Sequence, residues 1–325
     1  MTDGMGLRSA RVALERIRGA YAAGDAVALV RAYEQTARNS NLLRVAIRLV
    51  ERFYPLGTFL ELASRLDRVI ADRGLHEGCC RFLQDIATDW EHVLPDSCRA
   101  IAETQPAIFY GNHPSLLTPF LVAASLGRQD LRYFSASYLC HLIPSLGGVS
   151  YPMEVPLTRS WTEWRRGGWK RVLAYRLLSM VHDPPDLDAT KAINRLSLEL
   201  GSNHVRQGGS VLIFPGGGGK RDRRWYPGIG SLIKRLQRNP GDRAAYLIPL
   251  REENCTNKRV YAQLMEGPLA HLKWSILYRD PVRITFADPI PLSEVASPSS
   301  SVEQIVERLR AHYESLFAKP SLMEG

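Results

Sequence analysis

The segment Asn112-His113-Pro114-Ser115-Leu116-Leu117-Thr118-Pro119 holds the residues best suited to chemistry in this 325-residue chain. His113 follows a short apolar run, Ala107-Ile108-Phe109-Tyr110, and stands at the mouth of a turn. An imidazole titrates near neutrality and can take a proton from a hydroxyl. Such a base is better held when a carboxylate bonds its other ring nitrogen. Here the residue in reach along the sequence is Thr118, whose hydroxyl can orient the ring but supplies no charge to stabilise an imidazolium. The competing reading of His113 is a histidine that caps or fills a turn.

A second apolar run, Ser210 to Phe214, ends in Pro215-Gly216-Gly217-Gly218-Gly219-Lys220-Arg221-Asp222-Arg223-Arg224. Four consecutive glycines strip one bend of side chains. The backbone can then approach a ligand and aim its N–H groups at an anion. From Gly219 to Arg238 there are seven basic residues and one acid, and guanidinium forks match phosphate oxygens. The register is not that of a P-loop, because no Gly-Lys-Ser/Thr follows. A solvated surface loop is the competing reading.

A third segment, Thr158 to Arg171, interleaves Trp161, Trp164 and Trp169 with five basic residues. That mixture suits a lipid headgroup layer or stacking on single-stranded nucleic acid. It also suits an amphipathic helix that packs its tryptophans on a core. No recognised nucleic-acid motif accompanies it, so nucleic acid is not an expected partner. Gly-x-Ser-x-Gly is absent, which removes the usual hydrolase elbow. No His, Cys, Asp and Glu cluster has metal-ligand spacing.

The formal net charge of +9 points to anionic partners, namely nucleic acid, phosphorylated metabolites or an acidic membrane surface, with a merely basic surface as the competing reading. Five cysteines without a Cys-x-x-Cys pair fit a reducing cytoplasm better than a disulfide framework. The uncharged stretch Ala107–Gly127 carries Gly111, Asn112, His113, Pro114 and Pro119 and makes a poor membrane span. Membrane contact, if any, is expected at the surface.

The elements that must position these residues follow from periodicity. Residues 7 to about 95 read as helices. Leu42, Val45, Ala46, Leu49, Val50 and Phe53 fall at helical spacing, and a further helix is expected over roughly 77–93. Pro95-Asp96-Ser97 reads as a linker. After residue 100 short apolar strands alternate with helices. Strands are expected at Ala107–Tyr110, Leu131–Ser135, Val149–Pro152, Ser210–Phe214, Ala245–Leu250 and Val282–Phe286, with helices near 116–127, 167–181, 188–206, 228–238 and 302–317. The expected fold is α/β, a mixed sheet flanked by helices, preceded by a helical N-terminal segment. The expected division is a helical domain or cap over 1–98 and an α/β domain over 99–325.

In this order, the His113 loop, Gly147-Gly148-Val149, Gly209 to Gly217, Leu247-Ile248-Pro249-Leu250 and Val282-Arg283-Ile284-Thr285-Phe286 resemble the glycerolipid acyltransferase superfamily across roughly residues 100–292. That superfamily includes the glycerol-3-phosphate and 1-acylglycerol-3-phosphate acyltransferases. Its Asn-His-x-x-x-x-Asp motif is met by Asn112 and His113, with Thr118 in place of the acid. Its Phe-Pro-Glu-Gly motif is met by Phe214, Pro215 and Gly217, with Gly216 in place of the acid. Pro215, Gly217 and Gly218, then Arg221, Asp222 and Arg223, look more like the form of the soluble plastid-type enzymes.

The resemblance implies transfer of a fatty acyl group from acyl-CoA or acyl-carrier protein to a hydroxyl of a phosphorylated glycerolipid precursor or related lipid alcohol, a step of phospholipid biosynthesis. By that reading His113 is the general base, seated by Thr118, and no acyl-enzyme forms. The Gly216–Gly219 backbone would receive the oxyanion. Asn112, Gly216, Gly217 and Gly218 would line the substrate site, and Lys220, Arg221 and Arg223 would hold the acceptor phosphate. No metal or other cofactor is implied. The expected location is cytoplasmic, peripheral on the inner face of a membrane with an anionic surface. The alternative is a relative that binds anionic lipid and has lost catalysis. An acid from elsewhere in the fold could replace the missing aspartate, and Asp130, Asp183, Asp222 and Glu154 are the acids to look for beside His113.

Overall fold

The apolar run after Pro106 becomes the strand on which the site is built. The computed structural model describes residues 3–39, 41–51, 54–154, 179–183, 185–217, 225–264 and 280–317. By internal contacts the chain forms two units, Met1–Gly74 with Ser135–Arg195, and Leu75–Phe134 with Leu196–Gly325. Residue 98, where a domain boundary was expected, lies within a helix of the second unit.

The short apolar segments of that second unit are sorted by what covers them. Strand β1 spans Trp90–Val93 and β2 spans Ala107–Gly111. β2 is buried along its whole length, as an interior strand covered on both faces must be. β5 (Ser210–Ile213) and β6 (Tyr246–Glu253) flank it, both parallel, so that Phe109 registers with Leu212 on one side and Ile248 on the other. β3 (Leu131–Ala136) runs parallel to β5. β7 (Val282–Phe286) and β8 (Ile290–Pro291) run antiparallel to β6, and β1 runs parallel to β7. The sheet is therefore mixed, as expected, with helices alternating between its strands.

Helices α5 (Leu75–Asp85), α6 (Asp96–Thr104) and α7 (Thr118–Leu126) belong to this unit. α7 is apolar nearly all round and buries Phe120, Leu121, Val122, Ala123 and Leu126, the mark of a helix inside the core rather than on the surface. Phe82 of α5 packs on Phe120 with ring centroids 4.8 Å apart. Helix Gly228–Arg238 approaches the helix Val302–Leu316 so closely at Gly230 that a Cβ there would lie 2.6 Å from the Val302 carbonyl oxygen.

Two expectations change here. The helix expected to reach residue 93 stops at Asp85, and Trp90-Glu91-His92-Val93 pairs with β7 instead. Its aromatic and β-branched ends suit a strand edge, and tertiary pairing overrides the helical pattern. The linker expected at Pro95-Asp96-Ser97 opens α6, with Pro95 at the N-cap and Asp96 in the first turn, where an acid meets the positive end of the helix.

The first unit holds α1 (Asp3–Ala22), α2 (Ala26–Asn39), α3 (Asn41–Glu51), α4 (Leu56–Arg73), the short helix α8 (Ser137–Leu142) and strand β4 (Ser150–Met153). Tyr21, Leu29, Tyr33 and Leu60 form its core cluster, joined by Ile17, Ile47 and Leu56. On α3, Val45 and Leu49, two residues of the expected apolar face, are exposed. Ile47 packs against the core cluster, and Glu51 Oε1 accepts hydrogen bonds from the Gly57 N–H (2.7 Å) and the Tyr33 hydroxyl. Among the described residues no helix is long and apolar enough to cross a membrane.

Candidate active site

Three adjacent parallel strands, β6, β2 and β5, end side by side. Their carboxyl ends carry Asn112-His113, then Phe214 to Gly217, then Leu250 to Glu253. Open α/β sheets bind ligands at such carboxyl ends. The approach of β2 to β6 is unusually close at Gly111, where a Cβ would fall 1.9 Å from the Leu250 carbonyl oxygen. Only glycine lets the chain leave the sheet along that path.

Beyond Gly111 the two strands stay joined by a side chain. The Asn112 amide nitrogen donates to the Glu252 carbonyl (2.9 Å), and the Glu252 N–H donates to the Asn112 amide oxygen (2.8 Å). This pair continues the ladder by one step after the backbones have parted. The loop is pinned again where Asn257 Oδ1 accepts the Leu116 N–H (2.8 Å). Asn112, expected at the substrate site, thus has its amide engaged with the backbone of β6.

The same join brings the Glu252 side chain beneath the His113 loop. Ser115 Oγ donates to Glu252 Oε1 (2.6 Å) and accepts the Leu117 N–H (3.1 Å). The Thr118 hydroxyl bonds the other carboxylate oxygen, Oε2, and also lies 2.8 Å from the Ser115 carbonyl. His113 Nδ1 sits 3.0 Å from Thr118 Oγ1. A chain therefore runs from imidazole to hydroxyl to carboxylate. Thr118 and Glu252 are buried, while His113 keeps partial exposure.

With Glu252 ionised, proton counting sets the direction of that chain. Thr118 has one hydroxyl proton, and the Ser115 carbonyl and the Glu252 carboxylate both call for it. What remains on Oγ1 for His113 is a lone pair, so His113 Nδ1 carries the proton and donates. Nε2 is then the basic atom, and among the described residues it makes no hydrogen bond. The Phe214 ring covers one face of the imidazole, with centroids 4.5 Å apart and planes 15° from parallel, which fixes its tilt.

Burial sets the protonation states. His113 is pushed down to about 4 by desolvation of its charged form, so it is neutral at pH 7 and its base is available. Burial pushes Glu252 up to about 7, against the opposing pull of hydrogen bonds from Ser115, Thr118 and Cys255 and the positive charge of Arg259. Arg259 is itself buried and donates to the Asn254 and Asp280 carbonyls (2.7 Å each). The neighbouring Cys255 thiol is driven up to about 12, chiefly by burial and then by the Glu252 charge, which leaves it an inert thiol.

The glycine loop begins as a tight turn. The Gly217 N–H donates to the Phe214 carbonyl (3.0 Å), and Gly217 takes a φ of +67°, a conformation that favours glycine. That N–H is spent on the turn, so it is not an oxyanion donor in this conformation. Gly216 is buried and Gly217 exposed. Gly218, Gly219, Lys220, Arg221, Asp222 and Arg223 lie outside the described residues, as does the tryptophan-rich segment 158–171.

Among the described residues the acid linked to His113 through Thr118 is Glu252, not Asp130, Asp183 or Glu154; Asp222 lies outside the described residues. Asp130 forms a two-pronged pair with Arg128 (2.7 and 2.6 Å). Asp183 meets Arg18 (3.4 Å) and Glu154 lies 4.0 Å from His182, both within the other unit. Glu252 escaped notice because the strand was expected to end at Leu250. Carried two residues further, period two places Glu252 on the inward face with Ile248 and Leu250, and a glutamate at an inward position was the missing signal. Among the described residues no group of three or more His, Cys, Asp or Glu side chains is placed to hold a metal ion.

No protein-family model matches the chain. No curated protein matches it either. Among solved structures, the 1-acyl-sn-glycerophosphate (LPA) acyltransferase PlsC from Thermotoga maritima is similar at 11% identity, over 82% of this chain and 84% of that one, with a TM-score of 0.39. At that score the likeness carries no weight for function, which must come from the site itself.

Proposed function

We propose that this protein is an acyltransferase that moves a fatty acyl group from acyl-CoA or acyl-carrier protein to a hydroxyl of a phosphorylated glycerolipid precursor or related lipid alcohol. One observation carries the reading: a neutral imidazole stands at the carboxyl ends of three parallel strands, with Nδ1 bonded to Thr118 and Nε2 making no hydrogen bond among the described residues. In the reaction Nε2 takes the acceptor's hydroxyl proton. The oxygen attacks the thioester carbonyl, the C–O bond forms, and the C–S bond breaks. The proton then passes from Nε2 to the departing sulfur. The Gly216 N–H and those of the glycines after Gly217 are the candidates for the oxyanion. Lys220, Arg221 and Arg223 are the candidates for the acceptor phosphate, and the net charge of +9 suits an anionic membrane surface.

The test is thiol release by purified protein across a panel of acyl-CoA and acyl-carrier-protein donors. Acceptors would be glycerol-3-phosphate, 1-acylglycerol-3-phosphate and neutral lipid alcohols. Acceptor-dependent thiol release is the expected result. Binding to anionic vesicles without release from any pair would instead identify a lipid-binding relative that has lost catalysis.

A further inference from the structure

We infer that Glu252 is a positioning residue of this site: acting through the Thr118 hydroxyl, it orients His113 and stabilises the positive charge the ring acquires during transfer. The inference rests on the reading of His113 as the base.

Glu252 is held on every side for this task. Its backbone is bonded at both N–H and C=O to the side chain of Asn112, the residue next to His113. One carboxylate oxygen is fixed by Ser115 and the other by Thr118. The titratable and charged groups that face it are His113 through Thr118, Cys255 from the following turn, and Arg259. Burying a carboxylate is costly, and a purely structural bridge between Ser115 and Thr118 could be made by a neutral amide. In its ionised form the acid adds negative charge in line with the imidazole, one hydroxyl away.

The proton bookkeeping needs no further transfer. When Nε2 accepts the acceptor's proton, the Nδ1–H bond to Thr118 strengthens, and the Thr118 O–H bond to Glu252 strengthens with it. Glu252 takes up no proton, just as the orienting acid of a serine protease triad does not. A Thr118–Glu252 pair contributed by two different elements thus does the work of a single acid directly on the ring.

The test is a double-mutant cycle on kcat with Thr118→Val, Glu252→Gln and both together, beside Thr118→Ser, each checked for folding by thermal unfolding. Thr118→Val and Glu252→Gln should each lower kcat by roughly 10²-fold or more, less than the ~10⁴ lost when a directly bonded acid is neutralised. KM should be unchanged. The double variant should lose no more than either single one, because both break the same chain, and Thr118→Ser should keep most of the rate. Unchanged kcat in Glu252→Gln alongside an inactive His113→Ala would overturn this role alone. So would losses that multiply in the double variant. Full activity in His113→Ala, or an inert wild type across the whole panel, would remove the base and its positioning residue together.

Discussion

Replacing His113 by alanine is expected to lower kcat for acyl transfer by about 10²- to 10⁴-fold, the range a positioned general base contributes. The loss should appear in kcat and in kcat/KM equally, because Nε2 acts on the transferring proton rather than on bound substrate. The fold should survive. Thr118, the residue His113 touches, keeps its bonds to the Ser115 carbonyl and to Glu252, so no buried hydroxyl is orphaned. The cost to stability is one hydrogen bond and one ring contact, about 1–2 kcal/mol. Thiol release at the wild-type rate from a folded His113→Ala protein would remove His113 from the chemistry.

Gly111→Ala should act through the scaffold rather than the reaction. The new Cβ would lie 1.9 Å from the Leu250 carbonyl oxygen and 2.9 Å from its carbon, with both strands buried at that point. The nearest atom is backbone in the sheet's interior, so no side-chain rotation relieves the clash. β2 and β6 must separate, and that separation breaks the Asn112–Glu252 pair just beyond. We expect a loss of more than about 4 kcal/mol in denaturant unfolding, among the largest effects a single substitution produces. Gly147→Ala, where an added Cβ meets nothing within 4 Å, is the control and should stay within about 0.5 kcal/mol of wild type. Equal stability of the two variants would show that β2 and β6 have more room than these contacts allow.

Much of the scaffold was legible before any coordinates. β2, β5 and β7 are apolar runs bounded by turn residues, and they appear within a residue of where periodicity sets them. The His113 loop was legible too, because histidine after a strand and before Pro114 is a marked pattern. What stayed hidden depends on partners distant in sequence. β1 is a strand only because β7 is there to pair with it. Glu51 bonds the Tyr33 hydroxyl from 18 residues away, a contact no local pattern announces. Glu252 lies 134 residues from the threonine it bonds, and strand pairing between β2 and β6, not any local motif, brings the two together. Thr118 read alone was a gap in a catalytic motif. With Glu252 behind it, the same residue becomes a connector.

The claim that joins these parts is that His113 stands at pH 7 as a neutral ring with its proton on Nδ1 and its basic nitrogen, Nε2, toward the acceptor. Nitrogen-15 NMR of the imidazole measures this directly, with the His113 signals assigned by their loss in His113→Gln. The Nδ1–H form is expected at pH 7, with protonation only as the pH falls towards about 4. A proton on Nε2 at pH 7, or titration at the ordinary histidine value of about 6.5, would contradict it.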